Sequence, residues 1–336
     1  MAMGNTSDTK VIRDRVDWIR NSLSIVRTGQ QELHVLTTIY PESDALNPGG
    51  QLLQVSGLEE DSRSIVSTSR PLAAMWRSPR KQLWLGSSDG YLWTTAKVPF
   101  NENIEGVDLR DDQNWTWASA SLPELEGAGG RPNITAIWGT SDSNVFFATA
   151  SGAIYLWNGN QLSLSLEGGG GSLTKIHGAS SNDVYAVGYE ATLLHWNGKH
   201  WRHIATNLDR DVTIITGVAV QKSGKAYFVT NQGQLLFRHR LGRRLTLLGS
   251  AETRFTGLVA WKGVLAASST HGAWLYSKKR LRQIKDNFNA TDIMVVQHEL
   301  HFIESEQSMG PSVIEYKASR QKAPWQRIVF YMNNDR

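Results

Sequence analysis

The sequence predicts an all-β chain folded as a seven-bladed β-propeller with four antiparallel strands per blade. Three observations carry this expectation. Residues 173–204 read as four short strands joined by three turns, the last of them an Asn197-Gly198 hairpin. Asn-Gly between apolar runs marks a tight hairpin, because both central residues of that turn take positive φ. A unit this short cannot bury two apolar faces alone and implies neighbours of its own kind. Second, residues 134–160 superpose on 173–199 without a gap at an offset of 39, bringing Thr135, Ile137, Gly139, Val145, Trp157, Asn158 and Gly159 onto Thr174, Ile176, Gly178, Val184, Trp196, Asn197 and Gly198. Third, a small residue recurs before each third strand: Gly50, Gly90, Gly152, Ala191, Gly233, Gly272 and Gly310, at intervals of 40, 62, 39, 42, 39 and 38. Seven occurrences at a period near 40 give seven blades.

In chain order, residues 1–10 are polar and expected to be disordered, and the propeller domain is expected to span 11–336. Residues 11–20 read as a short helix or a strand; as a strand they offer an outer latch for the last blade, which residues 325–330 otherwise complete alone. Trp18 stands as Trp201 and Trp325 do, ahead of a fourth strand. Blade one follows as SLSIVRT, ELHVLTTI, QLLQVSG and RSIVST, with an inserted loop at 40–50. Blade two is LAAMWRS, QLWLGSS, YLWTTAK and WTWASA; the one long interval places an insertion, 98–113, between its third and fourth strands. Blades three and four are the superposed pair, and blade five opens at Ile215. Two fainter copies follow from Phe255 and Thr291. Thr135, Thr174, Thr216, Thr256 and Thr291 open five of the units, and their hydroxyls are expected to satisfy backbone groups around the channel. At Ala191 the missing glycine predicts a turn without positive φ.

Composition narrows the function classes. Thirteen Trp and thirty Gly suit short strands and tight turns, and the absence of Cys excludes disulfides and thiolate metal sites. A polar N-terminus without an apolar core region, and no run of 18 apolar residues, predict a cytoplasmic protein with no membrane partner. The formal charge of +4 is mild.

Residues 178–201 resemble bacterial propeller repeats of the form G-x-S-x-N-D-V-[YF]-A-V-G-x-x-G-x-[IL]-x-[HY]-W-N-G-x-x-W, from the broad WD40/YVTN-like and BNR-like group. The match runs through Gly178, Ser180, Asn182, Asp183, Val184, Tyr185, Ala186, Val187, Gly188, Leu193, His195, Trp196, Asn197, Gly198 and Trp201, with Ala191 in place of the glycine. The resemblance implies a fold and leaves function open.

No motif in the sequence identifies catalytic residues, a cofactor or a metal site. Ser87-Ser88-Asp89-Gly90 is one residue short of an Asp-box and reads as a plain Asp-Gly hairpin. His298 and His301, three apart on a strand, point to opposite faces and read as surface histidines; Glu304 and Glu306 read as solvated acids. Gly168–Gly171 reads as a flexible connection between blades, not a phosphate loop. Recurring Trp138, Trp157, Trp196 and Trp261 read as packing between blades. The alternative is a carbohydrate-binding lectin that stacks rings on sugar beside Asn158 and Asn197. A propeller glycoside hydrolase is a third reading.

The expected function is a non-catalytic scaffold for a protein partner; an immunity protein neutralising a bacterial toxin is the more specific expectation. In a propeller the a–b and c–d turns share one face. There the c–d segments of blades five and six carry Arg238, Arg240, Arg243, Arg244, Lys278, Lys279, Arg280 and Arg282, and the a–b turn of blade five adds Lys222 and Lys225. The blade-two insertion carries Glu102, Glu105, Asp108, Asp111 and Asp112 roughly across the ring. These residues are the expected partner site, basic on one side and acidic on the other. Ordinary solvated turns are the competing reading. Nucleic acid fits less well, since no aromatic ladder interleaves the basic run.

Overall fold

The computed structural model describes residues 8–14, 18–27, 32–41, 49–56, 62–109, 115–125, 129–168, 170–242, 244–296, 298–306, 310–316 and 324–332. These residues form strands and connections, with no helix among them. The chain begins with β1 (Asp8–Asp14), which starts inside the segment expected to be disordered. Blade one holds β2 (Trp18–Arg27), β3 (Glu32–Pro41), β4 (Gly49–Ser56) and β5 (Ser62–Thr68). Blade two holds β6 (Leu72–Arg77), β7 (Leu83–Ser87) and β8 (Tyr91–Thr94); after β9 (Val107–Leu109) it is completed by β10 (Ala118–Ser121). Blade three is β11 (Ile134–Ser141), β12 (Asn144–Thr149), β13 (Ile154–Trp157) and β14 (Leu162–Leu166). Blade four is β15 (Leu173–Ser180), β16 (Asp183–Gly188), β17 (Leu193–Trp196) and β18 (Trp201–His203). Blade five is β19 (Ile215–Gln221), β20 (Lys225–Thr230), β21 (Gln234–His239) and β22 (Thr246–Ser250). Blade six is β23 (Phe255–Trp261), β24 (Val264–Ser269), β25 (Gly272–Ser277) and β26 (Arg280–Lys285). Blade seven is β27 (Ala290–Val296), β28 (Glu299–Glu306), β29 (Gly310–Tyr316) and β30 (Trp325–Met332). Seven antiparallel sheets of consecutive strands follow, as the repeat count predicts.

Two sheets gain a fifth strand from elsewhere in the chain. β1 pairs parallel with β30, with Asp8 opposite Gln326 and Asp14 opposite Met332. The last blade is therefore complete without the N-terminus and receives it as an added outer strand. Trp18 opens the innermost strand of blade one, not a fourth strand. β2 packs against the strands of blade seven, which closes the ring by packing.

The second added strand corrects the reading of the insertion. β9 leaves blade two and pairs with β5 of blade one, Asp108 opposite Ser67. Its approach is anchored by apolar side chains. Phe100 packs edge-on against Trp157 at 4.6 Å between ring centroids, Val98 joins the same core cluster, and Ile104 is buried in the next one. The segment is a strap across two blades rather than a free loop.

The core sits between blades. Each described apolar cluster draws on two adjacent sheets, as where Phe146 and Ala148 of β12 meet Ile176 and Val184 of blade four. Second strands are sandwiched on both faces, so β16 is buried at every position, which explains the unbroken apolar run VYAVG. A repeated interlock sets the spacing of the innermost strands. The Trp76 indole lies where a Cβ on Gly139 would stand, and Trp138 fills the same place at Gly178. In blade four the corresponding ring is His177, whose Nδ1 accepts the N–H of Val220 at 3.1 Å. The threonine row behaves as expected. Thr174 Oγ1 reaches Val187 O at 3.2 Å in its own blade and Ile215 O at 3.0 Å in the next. Thr216 reaches Phe255 O at 2.8 Å, and Thr256 reaches Ala290 O at 2.7 Å. Each of these three hydroxyls thus ties its blade to the residue before the next threonine. Lys175 of blade four and Asp292 of blade seven form an ion pair between innermost strands three blades apart.

Candidate functional site

The a–b turns of blades four and five and the c–d turn of blade five border a cleft of about 450 Å³. Its walls include Ser180, Lys222, His239, Arg240 and Leu241, and Asp183 forms its floor. The cleft follows from local chain geometry. Gly224 at φ 76° turns the a–b hairpin of blade five, and its carbonyl accepts the N–H of Arg240 at 2.6 Å, holding the c–d connection beside the hairpin. The Asp183 side chain is only 3% exposed, and its Oδ1 accepts His195 Nε2 at 2.8 Å, with Arg240 Nε 3.9 Å away. His195 stacks on Tyr185 at 4.4 Å, and the Tyr185 hydroxyl accepts Arg238 Nη1 at 2.8 Å. Burial pushes the Tyr185 phenol up, against the opposing pull of Arg238. Blade three has Asn144 where blade four has Asp183, so the two superposed blades differ at this buried position.

The expected partner residues divide into several groups. Arg238 is buried at 7% exposure and serves as a cross-blade tie to Tyr185, so it is not part of an exposed basic surface. Arg240 is half-buried at the cleft, and Arg244 is exposed beyond it. Arg243 lies outside the described residues, as do Asp111, Asp112 and most of the loop 40–50. Lys278 and Lys279, at φ 49° and 60°, make the two-residue turn between β25 and β26; both are exposed, as are Arg280 and Arg282 on β26. None of Arg244, Lys278, Lys279, Arg280 and Arg282 has an ion-pair partner among the described residues. On the acidic side, Glu102 is half-buried, its backbone bonded twice to Ser119, and Glu105 is exposed in a turn. Asp108 stands on the outermost strand of blade one, at the rim of the ring and away from the turns.

Two other surfaces escaped the sequence reading. On the opposite face, a groove of about 760 Å³ between blades five and six is lined by Asn231, Gln232, Glu252, Arg254 and His271. Beside it Tyr189 and Val212 are 48% and 53% exposed, and Arg210 pairs with Glu190 at 3.0 Å. The turn that presents Tyr189 corrects an expectation, since Glu190 and Ala191 both have positive φ, 54° and 50°. Thr192 N–H donates to Tyr189 O at 2.9 Å across them, the two-positive-φ hairpin turn without its usual glycine. Arg70 and Arg131 bring their guanidinium groups to 3.9 and 5.0 Å from the centre of the Tyr91 ring, and Arg70 pairs with Asp89 in the plain hairpin that the sequence indicates at 87–91.

The other candidates resolve locally. His301 and Glu304 are buried at 0% and 3% exposure, contrary to their reading as surface groups; the Glu306 side chain lies outside the described residues. His298 occupies a turn at φ 69°, where its carbonyl accepts Trp261 Nε1. Among the described residues no group of three or more acidic, His or Cys side chains is arranged to hold a metal. The asparagines of the lectin reading are committed to their turns: Asn158 Oδ1 accepts two backbone N–H groups, and Asn197 Oδ1 does the same. Trp157 and Trp196 donate to the backbone carbonyls of Asp142 and Ser181. Gly171, in the glycine connection, donates its N–H to Thr192 Oγ1 at 3.0 Å. Among the described residues no helix is long and apolar enough to cross a membrane.

With this geometry the chain is a β-propeller, and comparison with solved structures agrees. It is similar to the WD40 β-propeller domain of Doa1, with a TM-score of 0.60 and 12% identity over 96% of each chain. It is similar also to the computationally designed protein Ika8, at TM-score 0.57 and 12% identity over 92% of this chain and 86% of that one. A third likeness is to YCF48 bound to D1 peptide, at TM-score 0.55 and 11% identity over 77% and 82% of the two chains. No protein-family model matches the sequence, and no curated protein matches it. The likeness is one of fold.

Proposed function

We propose that this propeller is a non-catalytic scaffold that binds a partner protein through the turns of blades four to six. The observation that carries the reading is the set of exposed cations Arg244, Lys278, Lys279, Arg280 and Arg282, which lack acidic partners among the described residues. They lie beyond a cleft whose rim includes Leu241, 85% exposed. Unpaired cations around an apolar contact fit a complementary acidic protein, for which charge raises the association rate and sets orientation. The similar propeller YCF48 was solved holding a D1 peptide, which supports peptide recognition on this kind of ring. A toxin neutralised in the cytoplasm is the specific partner class carried by this reading. Nucleic acid is disfavoured because the exposed cations have no exposed aromatic rings between them among the described residues. The lectin reading is less favoured because the Asn158 and Asn197 side-chain oxygens are engaged in their own turns.

The test is capture from the native cell with wild-type protein and with Lys278→Glu/Lys279→Glu, repeated as salt is raised. Loss of the captured protein in the variant, with moderate salt sensitivity, is the expected result. A steep log–log salt slope, about −0.9 per phosphate contacted on duplex DNA, would identify nucleic acid instead. Selective retention on a glycan array would restore the lectin reading.

A further inference from the structure

The geometry points to strand addition on the outer edge of blade six: β26 accepts an extended acidic segment of the partner as a fifth strand. This rests on the reading of the basic face and specifies how the partner is held. The fold already performs the operation twice, since β1 extends blade seven and β9 extends blade one. The remaining outer strands compete unequally. β18 has three residues and β10 has four, β14 has five without a charge, and β22 pairs regularly over only Thr246 and Leu247 before a register shift, whereas the shift in β26 comes after four regular pairs. β26 is six residues long and regular from Arg280 to Gln283, opposite Ser277 to Trp274.

Its backbone is oriented for pairing. Lys278 and Lys279 form a two-residue hairpin, so Ser277 and Arg280 are the closing pair and exchange hydrogen bonds. Alternation then directs the N–H and C=O groups of Leu281 and Gln283 out of the sheet. Side chains alternate as well: Leu281 joins the apolar cluster between blades five and six, while Arg280 and Arg282 are exposed on the other face. Charged side chains on an edge strand normally discourage pairing with a second copy. Here that repulsion excludes self-association and selects an opposite charge. An added strand with acidic residues two apart would set each against Arg280 and Arg282, where opposite-charge cross-strand pairs are favourable.

The probe is a synthetic decapeptide alternating Glu with Val or Thr, compared with an isomer of equal composition whose glutamates are consecutive. Affinity is read by fluorescence anisotropy and backbone protection by hydrogen exchange. The alternating peptide is expected to bind about tenfold more tightly than its isomer, the worth of two cross-strand ion pairs and their register. It should slow exchange at Leu281 and Gln283. Arg280→Glu/Arg282→Glu should abolish binding, and Gln283→Pro should weaken it while leaving every charge in place, since edge proline removes an outward donor. Equal binding of the two isomers, unprotected amides or no binding overturns strand addition. Equal binding that Arg280→Glu/Arg282→Glu abolishes would still leave the basic face as the binding surface, and the capture experiment decides that face independently.

Discussion

At residue scale the threonine row was legible because it repeats: a side chain needed once for chemistry does not recur at the same repeat position. Thr174→Val removes the hydroxyl that reaches Ile215 O and should cost about 1 kcal/mol, measured by denaturant unfolding. His177 gives a pH signature. Burial lowers its imidazole from 6.5 to about 4, so the folded ring stays neutral and accepts the Val220 N–H. Between those values the unfolded chain binds a proton that the folded chain refuses. Stability contributed by this site is therefore full above pH 6.5 and falls as pH drops toward 4, by up to about 3 kcal/mol. His177→Asn should flatten that part of the stability profile; an unchanged profile would assign the slope elsewhere. Ala191 was not legible. Its turn type depends on two successive positive φ values, which Glu-Ala does not advertise. The burial of Arg238 could have been found, because it shares a strand face with Leu236.

At element scale, blade number, strand order and the a–b–c–d pattern all followed from the repeat. What the repeat could not show were the departures from it, β1 and β9, since neither has a counterpart in other blades. The strap's sequence did carry a signal. Val98, Phe100, Ile104 and Val107 are spaced apolar residues among polar ones, the pattern of a segment tied down at intervals. Phe100 is half-buried against Trp84 and Trp157, so Phe100→Ala should cost about 2 kcal/mol, less than a fully buried phenylalanine. Deleting residues 1–14 removes β1 while sparing β2 and should lower the melting temperature without changing the blade count. An unaltered melting temperature would show that packing of β2 on blade seven closes the ring unaided.

At the scale of the whole molecule, threonine bridges, indole-on-glycine contacts and a cross-channel ion pair bind the ring internally. The surface is consequently free to differ from blade to blade. Charge clusters on blades five and six were readable from sequence; the cleft between blades four and five was not, because its floor, Asp183, and its rim, Arg240 and Leu241, are 57 and 58 residues apart in the chain. Most direct as a test of the central claim is a quantitative comparison of proteins captured from the native cell by three versions of the chain. These are wild type, Lys278→Glu/Lys279→Glu, and Arg210→Glu/Arg254→Glu on the opposite face. A partner held by wild type and by the opposite-face variant, but lost from the variant in blade six, is the expected result. Retention of that partner by the blade-six variant, with loss only from the opposite-face variant, would contradict the account and move the interface to the groove beside Tyr189 and Val212.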